Sequence, residues 1–166
     1  MTTQSPNARQ HILACLARLD LLIRREVINY HLRHPHRGDE KFRGLYISEE
    51  DLKELLASPF DTTSILSSQV PKNDGIATLE AAITALTTHI QDIENVCQRS
   101  GEFLPLLAIT QQFGLSDFER DALVICMAAE IDLKYERLYA YIQDDVSKKR
   151  PTAKETLGRP SRRWRA

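Results

Sequence analysis

The chain has 166 residues, 42% of them apolar and 27% charged, and a formal net charge of −1. That is long enough for one domain with a real core or for two small helical units, and it excludes a membrane-spanning chain because no run approaches the roughly 18 apolar residues a span requires. The near-neutral total hides an asymmetry: residues 147–166 hold eight Lys or Arg against one Glu, or +7, which leaves −8 on the rest of the sequence.

The N-terminal stretch MTTQSPNARQ has neither a cationic start followed by an apolar run nor a cleavage site of small residues, so a cytoplasmic location is expected. Ser5 and Pro6 open a helix, since serine accepts from an otherwise unpaired N–H and proline costs nothing at the first helical position. Ile12, Leu16, Leu19, Ile23, Val27 and Tyr30 then recur at intervals of three or four, and no proline interrupts before Pro35. The spacing predicts about 28 helical residues, near 42 Å at 1.5 Å per residue.

A polar break, HPHRGDEKFRGLY, separates this helix from ISEEDLKELL, where Ser48 caps, Asp51 answers three residues later, and Ile47 and Leu52 staple the turn. The short helix should end near Ala57. Residues 58–75 are rich in Ser, Thr, Pro and Asp and form the predicted linker. The organisation expected is a helical segment over 1–57, that linker, a long helix and bundle over 76–146, and a disordered basic tail over 147–166.

The clearest periodic signal follows. Ile76, Leu79, Ile83, Leu86, Ile90, Ile93 and Cys97 alternate at spacings of 3 and 4, a heptad seam that demands a partner helix. The first helix is the natural partner in an antiparallel hairpin, with pairing between chains left open. Gly101 ends the seam helix, EFLPLLAITQQF forms a shorter one, Gly114 permits the left-handed residue that closes it, and Ser116 with Glu119 restarts the chain. ALVICMAA, residues 122–129, is apolar all round and predicts a helix enclosed by others. Tyr135, Leu138, Tyr139, Ile142 and Val146 share one face, which puts Lys134, Glu136, Arg137, Gln143 and Asp144 largely off it. Asp132 is an N-cap for a new helix at Leu133, although one unbroken helix from 117 to 146 is equally compatible with the absence of Gly and Pro. The fold class expected is all-α: a long helical hairpin plus a small multi-helix bundle.

Chemistry-bearing patterns are sparse. Cys15, Cys97 and Cys126 lie far apart among apolar neighbours and read as buried thiols, neither disulfides nor zinc ligands. The carboxylates Glu130, Asp132, Glu136, Asp144 and Asp145 read as caps and solvated faces, because an acid/base pair needs convergence across a cleft. His31, His34 and His36, with Asp39 and Glu40 nearby, are the one candidate metal cluster. Pro35 breaks its helical geometry, and histidines are favoured at a helix C-terminus by the dipole alone, so no metal is expected. No G-x-x-x-x-G-K, G-x-G, G-x-S-x-G or H-E-x-x-H occurs, so neither cofactor nor catalytic residue is assigned and no enzyme activity is expected. The helices flanking Gly114 suggest a helix-turn-helix. The second of them, however, offers Asp117, Glu119 and Asp121 where a recognition helix would offer Arg, Lys, Asn or Gln. Nucleic-acid contact would fall to the basic tail, where Trp164 stands among Arg162, Arg163 and Arg165 and could stack on a base.

FGLSDFERDALVICMAAEIDLKYERLYAYIQDDVSKKRPT, residues 113–152, resembles the N-terminal region of bacterial AAA-family ATPases, including those encoded beside contractile injection systems. Phe113, Gly114, Leu115, Phe118, Glu119, Glu130, Asp132, Tyr135, Tyr139, Asp144, Asp145, Arg150 and Pro151 carry the resemblance, and FRGLYISEEDLKELL carries it more weakly. It implies a helical, winged-helix-like module that recruits or assembles, with the nucleotide-binding elements downstream. This chain departs where AKETLGRPSRRWRA turns basic instead of continuing as an apolar helix. A truncated gene, an expression boundary and a stand-alone regulator all fit that departure. The function expected is a non-catalytic protein-interaction module whose partners are a protein or ATPase ring subunits, or further copies of itself. The alternative is a small nucleic-acid-associated regulator. Lys148, Lys149, Arg150, Arg162, Arg163 and Trp164 are the candidate partner-binding residues.

Overall fold

The computed structural model describes residues 6–33, 75–143 and 150, with the side chains of the first helix described from Asn7 to Asn29. Five helices and no strand occur among these residues: α1 (Pro6–Arg33), α2 (Ile76–Ser100), α3 (Pro105–Phe113), α4 (Asp117–Ile131) and α5 (Lys134–Ile142). The all-α class is the one the periodicities predict. The helix expected from Ser48 to Ala57, the linker up to Asp74, the histidine cluster and Val146 lie outside the described residues and side chains. Two compact units are present, one containing the described residues 6–21 and 75–120, the other 22–33, 121–143 and 150.

In the first unit, α1 and α2 form the expected antiparallel hairpin within the chain. The α2 seam is buried at Leu79, Ile83, Leu86, Ile90, Ile93 and Cys97, and each such Leu or Ile contributes about 1.5–3 kcal/mol when fully buried. Ile76 departs from the expectation. It stands at the first turn of the helix and is exposed. Side-chain hydrogen bonds fix the register: His11 meets Glu94 at 2.7 Å, and Arg18 donates to Thr87 at 3.0 Å. These pairs lie seven residues apart on both helices, one heptad, and both polar residues of α2 directly follow a buried seam residue. On α1 the four consecutive residues Ala14, Cys15, Leu16 and Ala17 are all buried. Four successive residues sweep most of a helix circumference, so this is the enclosed helix of the unit.

Gly101 closes α2 at φ 73°, and Gly114 closes α3 at φ 60°. Beyond Gly114, the Leu115 N–H reaches back to the Thr110 carbonyl at 2.9 Å, a Schellman-type closure. Helix α3 starts at Pro105, later than EFLPLLAITQQF suggests, because the residue before a proline is pushed out of the helical region and Leu104 is extended at φ −111°, ψ 110°. A Cβ added at Gly114 would meet nothing within 4 Å. Gly114→Ala should therefore cost only the left-handed backbone penalty, about 1–2 kcal/mol, seen as a lower urea midpoint at unchanged m-value.

In the second unit, α4 and α5 are separate helices, so the unbroken helix from 117 to 146 does not form. The new helix begins at Lys134 with Leu133 in the cap position, one residue later than expected, so Asp132 is not its N-cap; its carboxylate accepts from the Lys134 N–H at 2.8 Å in a turn just ahead of the helix. Tyr135, Leu138 and Tyr139 are buried as their shared face requires. The Tyr139 hydroxyl donates to the Ile125 carbonyl at 2.8 Å, and the two tyrosine rings lie 6.1 Å apart. Two residues expected off that face are nonetheless buried. Lys134 holds its Nζ over the Tyr135 ring, 4.9 Å from the centroid, and Gln143 donates to the carbonyls of Tyr139 and Arg150.

Candidate functional site

Three helices of the first unit converge on one carboxylate. Glu94 of α2 takes the His11 imidazole Nε2 of α1 on one side and the Arg120 guanidinium of α4 on the other. His11 is fully buried, and its second ring nitrogen, Nδ1, has no hydrogen-bond partner. Burial alone would raise the Glu94 carboxyl, but the His11 hydrogen bond and the Arg120 charge outweigh it and hold the group below the usual carboxylate range. Cys15 lies one helical turn from His11 and beside Arg120. Burial pushes its thiol up to about 11, against the opposing pull of that cation.

A thiol, an imidazole and a carboxylate in proximity superficially resemble a nucleophile, a base and its orienting group. The chemistry argues otherwise: the histidine is sealed from solvent, and a thiol held this high forms almost no thiolate at neutral pH. The cluster is a structural tie that sets where α4 begins relative to the hairpin.

Cys126 corrects the expectation of three buried thiols, because it is exposed while Cys15 and Cys97 are buried. Helix α4 is likewise not enclosed. It buries only Val124, Ile125 and Ala128, a single face. Treating the native protein with a small aromatic disulfide reagent should therefore release about one equivalent of thiolate quickly, from Cys126, and the other two only on unfolding. Loss of the fast phase in Cys126→Ser checks the assignment.

What the tie positions is the outer side of α3 and the start of α4. Five of the nine residues of PLLAITQQF are Leu, Ala, Ile or Phe, yet α3 buries only Leu106. Ile109 is 40% exposed, and Phe103 and Phe113 are each 68% exposed. Pro105, Ile109 and Phe113, four residues apart, form one exposed ridge. Beyond Gly114 the capping box forms as predicted. Glu119 accepts from the Ser116 N–H at 2.8 Å and from its hydroxyl at 2.7 Å, and these bonds hold the Glu119 carboxyl below its ordinary range. Asp117 and Glu119 are exposed. Between residues 100 and 119 there are three carboxylates, Glu102, Asp117 and Glu119, and no Lys or Arg.

Of the residues expected to bind a partner, Lys148, Lys149, Arg162, Arg163 and Trp164 lie outside the described residues. The Arg150 side chain is 88% exposed and stands 3.9 Å from the Glu130 carboxylate. Glu130 is exposed, and the Asp132 carboxylate is engaged by the Lys134 N–H, so the two do not converge as an acid/base pair. Among the described residues no group of three or more potential ligands could hold a metal ion, and no helix is long and apolar enough to cross a membrane. The sequence reading did not single out His11, Glu94 or the α3 ridge.

Comparison with known proteins gives one family: the model described as a winged helix domain, variant, matches residues 6–158. No curated protein and no solved structure gives a significant match.

Proposed function

The chain belongs to the winged helix domain, variant, family, and from that membership we propose that it is a non-catalytic protein-interaction or assembly module. Winged helix domains bind DNA or proteins. The outer side of α3 and the first turn of α4 favours protein: it offers exposed Phe103, Ile109 and Phe113 with the exposed carboxylates of Asp117 and Glu119, and residues 100–119 carry no Lys or Arg. A surface of that sign repels a phosphate backbone, whereas exposed aromatic anchors are what protein interfaces use.

The resemblance of residues 113–152 to the region ahead of AAA-family ATPase rings supports such a ring as the partner, including those encoded beside contractile injection systems. Size-exclusion chromatography with light scattering, run on the chain alone and mixed with a purified ATPase of that kind, tests this. Co-elution is expected. An inert monomer that never associates overturns the reading. The chain alone should hydrolyse no ATP, and turnover by it would overturn the non-catalytic reading.

A second reading, a nucleic-acid-associated regulator acting through the tail, draws on the +7 balance of residues 147–166 and the exposure of Arg150. Binding to duplex DNA that weakens steeply with salt and vanishes on deleting residues 147–166 would favour it. No binding at low salt would end it.

A further inference from the structure

We propose that the outer ridge of α3, with the acidic first turn of α4, seats a basic amphipathic helix of a partner protein. This deepens the protein-interaction reading and rests on it. Large apolar side chains scattered singly on a surface need no explanation, but a short helix that buries one residue and exposes a ridge of its own does. Phe103 and Phe113 alone offer two aromatic anchors, the side-chain type that most often dominates binding energy.

The ridge is held ready. Glycine closure fixes its C-terminal end, the Ser116–Glu119 capping box fixes the turn that follows, and the Arg120–Glu94 pair anchors α4 just beyond. The ridge from Pro105 to Phe113 runs two turns, about 12 Å at 1.5 Å per residue, which suits one face of a partner helix with apolar residues at i, i+3 or i+4, and i+7.

Charge selects the occupant. Asp117 and Glu119 sit at the N-terminus of α4, where the helix dipole would otherwise draw an anion, and they reverse that preference. Arg120 is already committed to Glu94. Lysines or arginines flanking the partner's apolar face would meet Asp117 and Glu119, and an acidic or phosphate-bearing partner would be repelled.

The probe is a fluorescein-labelled helical peptide with Leu at i, i+3, i+4 and i+7 and Lys elsewhere, titrated with the full chain and followed by polarisation. A matched peptide with Glu in place of Lys is the control. The Lys peptide should bind and the Glu peptide should not. Phe113→Ser should weaken binding about tenfold, Asp117→Asn about threefold with a shallower salt dependence, and Asp92→Asn on the exposed side of α2 should change nothing. Circular dichroism verifies that each variant folds.

Equal affinity of wild type and Phe113→Ser overturns the proposal. So does self-association abolished by Phe113→Ser, which assigns the ridge to a second copy, or binding of a labelled DNA duplex to the chain that Phe113→Ser abolishes. If the ridge variants bind the peptide normally while the chain still co-elutes with the ATPase, the inference fails and the interaction reading stands.

Discussion

Replacing Glu94 with alanine should cost about 3–5 kcal/mol of unfolding free energy, because it strands a buried imidazole and a partly buried guanidinium together. Glu94→Gln should cost less, since an amide oxygen still accepts from one of them. The pH dependence has a definite sign. The Glu94 carboxyl titrates below its ordinary value in the folded chain, so the unfolded state binds its proton first as pH falls. Its contribution is therefore present in full above the ordinary glutamate pKa of about 4.3 and is lost as pH falls through the lower folded-state value. Urea titrations at pH 7 and pH 3.5 should show the gap between wild type and Glu94→Ala narrowing in acid. A gap that stays constant would mean that the ion pair is not the source of the loss.

Tyr139→Ala should be as damaging in the second unit, about 3–5 kcal/mol, the usual cost of deleting a buried aromatic ring. Tyr139→Phe separates ring from hydroxyl. It removes only the donor to the Ile125 carbonyl and should cost about 1 kcal/mol. If the phenylalanine variant loses as much as the alanine variant, the hydroxyl would matter more than the packing, and the view of this residue as core with a polar tip would be wrong.

Much of this architecture was legible because α2 obeys one rule over many residues. A seam at 3 and 4 spacing implies a covering helix, and six of its seven members are buried. Termini set by Gly101, Gly114 and the Ser116–Glu119 box follow from backbone chemistry that needs no tertiary context. The failures have a common origin. ALVICMAA is apolar on all sides, which shows that no side is obliged to face water but not which side has a neighbour, so Cys126 was misplaced. The helical spacing puts Lys134 and Gln143 off the buried face, whereas long side chains bend back and satisfy a polar tip locally. Glu94 did carry a signal that could have been used. It directly follows the seam residue Ile93, a position that in paired helices takes a polar partner. His11 and Arg120 as its partners, 83 and 26 residues away in sequence, could not be read. The α3 ridge was missed because apolar periodicity looks the same whether the covering helix is in the chain or in another protein.

The separation between His11 and Glu94 also matters during synthesis. A ribosome adds about 5–20 residues per second, so with 83 positions between them α1 waits roughly 4–17 s before its hairpin partner is made. Closing so long a loop also costs roughly 4 kcal/mol of chain entropy before any contact compensates. Newly made α1 therefore spends that interval without the α2 seam to cover it, and the hairpin can form only once α2 has followed.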